Sequence, residues 1–367
     1  MVGRVRDSGG SPPYRPVSTR PTPEEQIRFI ANIERILAEG SFVATYKYAL
    51  LVALVDLAIE RGTDSNSPLE LPVDAIARRF IEIYWQQAAP YKSGDQLDAF
   101  VLRHSTGKQA KAIRLLASVQ KHFMTLASAK KSKQWIPLVA EMRALVSTMP
   151  LWKLQTVHRA NTEFLYTKGA KRGWITLLPG VACHLRERAP LIRRLAQTEW
   201  LRFVLSLKQN QPALGRATGL SEFLFGSNRA ALALKVRKPL RDLQHGRCFY
   251  CQSNLAAAAS VDHFIPWSQY PRDLVHNLVL AHADCNSRKS DLLGGEPYLE
   301  RWATFVSDQD VALTQIGTDA GLLVDRATSL SVAQWSYEHA ERVGAEVWLG
   351  GREYGQLSSG WRGLLPV

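Results

Sequence analysis

Two short pairs in the C-terminal half have the residue types and spacing of metal ligands: Cys248-Phe-Tyr-Cys251 and His282-Ala-Asp-Cys285. Three thiolates and one imidazole at these intervals can close a tetrahedral shell around zinc, and a shell closed by four protein ligands leaves no place for water. Zn2+ held this way would be structural. The blander reading is a pair of reduced, buried cysteines near an unrelated surface histidine. His276 competes with His282 for the fourth position but has no partner at the same spacing. The 30 residues between the pairs exceed the roughly 15–20 of an ordinary zinc ribbon. A segment must therefore be looped out between them.

That segment reads SVDHFIPWSQYPRDLVHNLVLAHADCNSRKSD from Ser260 to Asp291. It sets Asp262 beside His263, and on a strand the two side chains would point to opposite faces. Three groups in it resemble the HNH nuclease motif: Asp262-His263 followed by Pro266, Asn277 followed by Leu-Val-Leu, and Asn286 with Lys289 just after the last cysteine. A cysteine frame closed by Cys-Asn is itself a frequent variant of that family. The similarity spans roughly 240 to 305.

The resemblance implies a ββα-metal fold and metal-dependent hydrolysis of phosphodiester bonds. Such chemistry needs a base to take a proton from water and a cation to neutralise charge building on the phosphate. His263 is the base it assigns, because an imidazole accepts a proton near neutral pH. Asp262 and Asn286 are assigned to a single divalent ion, for which oxygen donors favour Mg2+ or Mn2+. Asn277 would hold the His263 loop by hydrogen bonding. Lys289, one turn beyond Asn286, would meet a phosphate, with Arg288 assisting. The third motif position is Asn rather than His, giving a His-Asn-Asn set that the family accommodates. His282 in place of the commoner Cys concerns only the structural zinc.

The elements that must carry these residues follow from periodicity. Apolar residues recur at helical spacing over about 22–37, 42–61, 73–88, 107–131 and 134–148, and helices resume up to about 206. Residues 163–178 read as a hairpin around a basic, Gly-containing turn. Residues 211–228 read as a linker. Residues 229–244 form a helix into the cysteines, another helix starts near Asp284, and a last one covers about 331–343. The expected fold is mainly α with a small α+β unit. It comprises a flexible tail over 1–21, a helical basic region over 22–210, the nuclease domain over 229–305 and a helical extension over 306–367.

The chain carries 46 Lys and Arg against 33 Asp and Glu, a net charge of +13. Between Val101 and Asn210 there are 20 basic residues against 4 Glu and no Asp, a surplus of 16, so the positive charge is concentrated in the middle. Such a surplus suits a polyanion. On the 107–131 helix, Lys111, Arg114 and Lys121 share a face that would track a DNA backbone. Lys168 to Arg172 and Arg186, Arg188, Arg193 and Arg194 would extend it, and Trp135, Trp152, Trp174 and Trp200 could stack on bases, although most of these tryptophans suit a core. The long apolar stretch from Phe42 to Ile59 contains Lys47 and Asp56 and reads as a buried helix rather than a membrane span. Without a secretory signal, the chain is expected in the cytoplasm, where Cys183 would be a packed thiol. The partner is then DNA, or RNA, with a protein partner conceivable through the helical region and no membrane. Restriction or phage defence is the setting that the resemblance implies. The competing reading is a nucleic-acid-binding or partner-activated module with little nuclease activity alone.

Overall fold

Thr22 opens the first helix with a capping box: its hydroxyl accepts the Glu25 amide, and the Glu25 carboxylate accepts the Thr22 amide at 2.8 Å. The computed structural model describes residues 20–40, 42–92, 99–157, 160–214, 219–226, 229–257 and 259–365. Most of the expected N-terminal tail lies outside the described residues. Helix α1 (Pro23–Glu39) buries Phe29, Ile33, Ile36 and Leu37 on one face. Helix α2 (Tyr46–Arg61) is buried on every side from Lys47 to Ile59, which makes it the axis of the helical half. Within it, Asp56 is answered by Arg193 at 2.8 Å and Arg79 at 3.4 Å. Among the described residues no helix is long and apolar enough to cross a membrane.

Strand β1 (Leu69–Pro72) leads directly into α3 (Val73–Trp85). The region expected as one helix over 107–131 is two, α4 (Lys111–Gln120) and α5 (Leu126–Lys130). The break has a local cause. The Thr125 hydroxyl accepts the Ser128 amide at 3.1 Å and starts a new helix where the apolar period would have run on. Helix α6 (Trp135–Thr148) packs along α3. The expected hairpin is present as β2 (Tyr166–Lys168) and β3 (Trp174–Leu177), with Gly173 at φ +81° in the turn. β1 adds to it as a third strand in the order β1-β3-β2, with Leu71 opposite Ile175.

Helices α7 (Val181–Glu187) and α8 (Ala189–Ser206) pack on α2. Two of the arginines expected on a basic surface are here in the core instead. Arg186 donates to Asp64 at 2.6 Å and to the Ile59 carbonyl, and Arg193 pairs with Asp56. Asp64 and Asp56 are themselves nearly out of solvent, and each takes a second arginine as well, Arg342 and Arg79. Arg188 and Arg194 stay exposed. Trp135 and Trp200 are buried, whereas Trp152 lies half-exposed under Lys168. Cys183 is fully buried, and burial pushes its thiol up to about 12.

Described parts of 211–228 form two short helices, Gln211–Leu214 and Leu220–Phe225, the second seated on the Gln87 amide through the Leu224 carbonyl. Residues 215–218 and 227–228 of that stretch lie outside the description. Helix α9 (Arg229–Leu243) then enters the cysteine knuckle, and β4 (Ser260–His263) pairs antiparallel with β5 (Leu278–Ala281). Helix α10 (Ala283–Lys289) follows at once, which completes a ββα unit. Helices α11 (Glu296–Asp308) and α12 (Asp310–Ala320) come next. Helix α13 (Arg326–Val343) starts five residues earlier than the pattern suggested, because Asp325 caps it by accepting the Thr328 amide at 2.9 Å. Hairpin β6 (Val347–Gly350) and β7 (Glu353–Gly355) brings Trp348 to stack on Tyr298. The two halves are joined by partly buried ion pairs: Arg186 reaches Glu338 on α13 at 2.9 Å, and Arg342 reaches Glu187 at 3.0 Å.

Candidate active site

Gln244, just past α9, exchanges two hydrogen bonds with the backbone of Leu280 and so locks the cysteine knuckle to β5. This brings the thiols of Cys248, Cys251 and Cys285 and one ring nitrogen of His282 within 4.8 Å of one another. His282 Nδ1 is 3.2 Å from Cys251 Sγ and 4.0 Å from Cys285 Sγ. Its Nε2 lies 3.0 Å from the Asn254 carbonyl, so Nε2 carries the proton and Nδ1 presents its lone pair to the sulfurs. The Cys285 thiol is pushed up to about 12 by burial and by the charges of Cys248 and Cys251. Cys251 is pushed up by burial too, but hydrogen bonding, that of the Ser253 backbone foremost, brings it down to about 7. Thiolates that raise each other's proton affinity are relieved by a cation, so this group could hold a metal such as zinc. His276 is elsewhere. It is fully buried with Nε2 on Asp310 at 2.9 Å.

The knuckle frames the end of β4. Asn277 holds the turn that follows His263 from both sides, since its carbonyl oxygen Oδ1 accepts the Ile265 amide at 2.7 Å and its Nδ2 donates to the Ile265 carbonyl at 2.9 Å. His263 is largely buried, and its ring lies 5.2 Å from that of Trp267. Its Nε2 is 3.0 Å from Asp273 Oδ1, a contact that puts the proton on Nε2 when the imidazole is neutral. Nδ1 is then the basic nitrogen.

Asp262 meets two donors through the same oxygen: Tyr250 donates its hydroxyl to Oδ2 at 2.5 Å, and Lys289 Nζ lies 3.2 Å from it. Lys289 therefore differs from the expectation of a phosphate contact. It is fully buried and donates to the His263 carbonyl at 3.1 Å, because its long stem reaches inward from α10 to the only nearby acid on β4. Asn286, one turn earlier on α10 and half-buried, shares that inward face. Arg288 is exposed on the same helix, 3.9 Å from Asp284. Lys111, Arg114 and Lys121 are exposed on and just beyond α4 in the helical half, with Lys111 4.0 Å from Glu141.

Tyr250, Asp273, Arg272 and Arg301 were not singled out by sequence reasoning. Arg301 pins the knuckle by donating to the Phe249 and Tyr250 carbonyls at 3.0 and 2.8 Å. For Tyr250 a signal existed, since a tyrosine between two metal-spaced cysteines has nowhere to put its hydroxyl except a buried acceptor. For Asp273 and Arg272, both in a loop, sequence offered none.

The family model for HNH endonuclease matches residues 248–292, the span that contains the knuckle, β4, β5 and α10. A second family model, a domain of unknown function named DUF8808, matches residues 26–222, more than half of the chain. No curated protein and no solved structure matches it. The HNH domain makes the C-terminal unit that of a nuclease family, whose substrate is nucleic acid. The chain thus belongs to the DUF8808 family and joins that helical region to a domain of the HNH endonuclease family.

Proposed function

We propose that the protein is a metal-dependent endonuclease that hydrolyses DNA phosphodiester bonds, with RNA as the lesser candidate substrate. The observation that carries this reading is the clamp around His263. Asn277 fixes the turn after it, and Asp273 holds Nε2, so the ring offers Nδ1 as base to a water molecule. Asp262 Oδ1, together with the amide oxygen of Asn286 on the inward face of α10, would hold Mg2+ or Mn2+. The donor set fits, because both are hard oxygens and the Asp262 donors fall on Oδ2. The ion, when bound, would neutralise charge on the phosphate. Residues 22–210 would present DNA through the stripe of Lys111, Arg114 and Lys121, with Arg288 nearer the cut. Residues 229–305 would be the nuclease domain and 306–367 its helical extension.

The partner-activated module is the second reading, and one observation favours it. Asp262 is engaged by both Lys289 and Tyr250, an arrangement suited to a site that rests until something shifts it. Restriction or phage defence in the cytoplasm, with a protein or nucleic-acid trigger, would be a consistent setting.

Supercoiled plasmid incubated with the protein and magnesium or manganese tests the choice. Nicking or linearisation that EDTA and His263→Ala both abolish supports the enzyme. Intact plasmid with a retained gel shift supports the module.

A further inference from the structure

We propose that Asp273 is the positioning acid of His263 and that the DUF8808 region holds it there, through a buried ion lattice closed by Arg272. This rests on the nuclease reading above and adds to it a physical link between the two halves.

The loop between His263 and Asn277 leaves the ββα unit and lies on the helical half. Arg272 donates to Glu60 at the end of α2 at 3.2 Å and to Glu82 on α3 at 2.5 Å. Tyr270 joins them, donating its hydroxyl to Glu60 at 2.5 Å and accepting from Arg272 at 2.7 Å. Arg79 binds the same two carboxylates from the other side, and Lys130 on α5 reaches Glu82 at 2.7 Å. Burial pushes the Glu82 carboxyl up, but Arg272, Arg79 and Lys130 together hold it well below the usual carboxylate range. The group stays charged.

Every member of this lattice except Lys130 is nearly or wholly out of solvent. A two-armed guanidinium between two buried carboxylates has one geometry and little freedom. Asp273 is the next residue. Its backbone carbonyl accepts from the Leu323 amide at 3.3 Å, and the Val275 amide donates to the Leu323 carbonyl at 3.0 Å, so the C-terminal segment steadies the loop as well. The carboxylate that meets His263 Nε2 at 3.0 Å is thus placed by residues of the DUF8808 region and not by the ββα unit alone.

Consequently, whatever moves α2 against α3 moves Asp273, and with it the tautomer of the base. A carboxylate acceptor favours the Nε2–H form by roughly tenfold or more. Without it the neutral ring distributes its proton between both nitrogens. A nucleophilic water then meets the wrong nitrogen part of the time.

The test compares the parent with Asp273→Ala and Arg272→Lys, which keeps the charge but loses the two-armed grip. The neutral His263 tautomer is read from its 15N imidazole shifts under mildly alkaline conditions, and kcat and KM are taken from metal-dependent plasmid cutting. The expected result is a single Nε2–H tautomer in the parent and a mixture in both variants. With it, kcat should fall in proportion to the lost Nε2–H fraction, about two- to fivefold, while plasmid KM stays unchanged. An unchanged tautomer in Asp273→Ala overturns the positioning role, and an unchanged tautomer in Arg272→Lys overturns the link to the helical half. Should the parent fail to cut while the tautomer shifts as stated, the nuclease reading falls and the coupling stands.

Discussion

Lys289 Nζ lies 3.2 Å from Asp262 Oδ2, with none of the lysine side chain exposed. This pair ties α10 to β4 beneath the proposed site. Removing one member of a buried pair leaves the other charged and unanswered, at a cost of about 3–5 kcal/mol. Lys289→Met is therefore expected to be strongly destabilised in urea unfolding. If Lys289 instead served a phosphate, the variant would keep its stability and lose DNA affinity.

The cysteine knuckle makes a separate demand. One zinc per chain is expected by elemental analysis, and its removal by a chelator should lower the melting temperature. Cys248→Ala should match the chelated parent. A loss of several kcal/mol corresponds to a fall of at least about 5 °C in a domain of this size. A Cys248→Ala protein that melts with the parent would remove the metal from the account of this fold.

Much of this could be read from the chain because the information is local. The helix starting near residue 22, the hairpin over 163–178 and the helix that runs into the cysteines each depend on neighbours a few residues away. What sequence reasoning missed is long-range. Strand β1 has only four residues and exists by pairing with β3 about a hundred residues later. Arg186 and Arg193 look like surface charge until Asp64 and Asp56 are seen to face them. Lys289 sits at the spacing expected for a phosphate contact, yet a lysine stem can turn either way, and a buried carboxylate decided it. Asp273 and Arg272 belong to the same class, since a loop gives no period from which to read a partner.

His104 makes the stability of the helical half depend on pH. It is fully buried with its Nδ1 3.3 Å from the Thr45 hydroxyl, and burial lowers its pKa from 6.5 to about 3. In the folded chain the ring stays neutral down to that value, while the unfolded chain takes up a proton below about 6.5. The unfolded state then binds more protons, so this contribution is complete above pH 6.5 and is lost as pH falls towards 3, by up to a few kcal/mol. Urea titrations of the parent and of His104→Gln across pH 7.5 to 4.5 should converge as the pH drops. Parallel curves would show that His104 does not carry the effect.

The basic stripe of α4 gives the last expectation. Lys111, Arg114 and Lys121 are exposed and Arg186 is not, so their removal should have opposite consequences. Each lysine or arginine on a phosphate adds about 0.9 to the slope of log affinity against log salt on duplex DNA. Replacing all three with alanine should flatten that slope by between two and three, weaken binding alike on unrelated sequences, and leave the melting temperature near that of the parent. Arg186→Ala should instead melt early, since Asp64 and Glu338 lose their shared partner. A triple variant with the parent's salt slope would move the DNA path off α4 and towards the exposed Lys168, Lys171 and Arg172 turn.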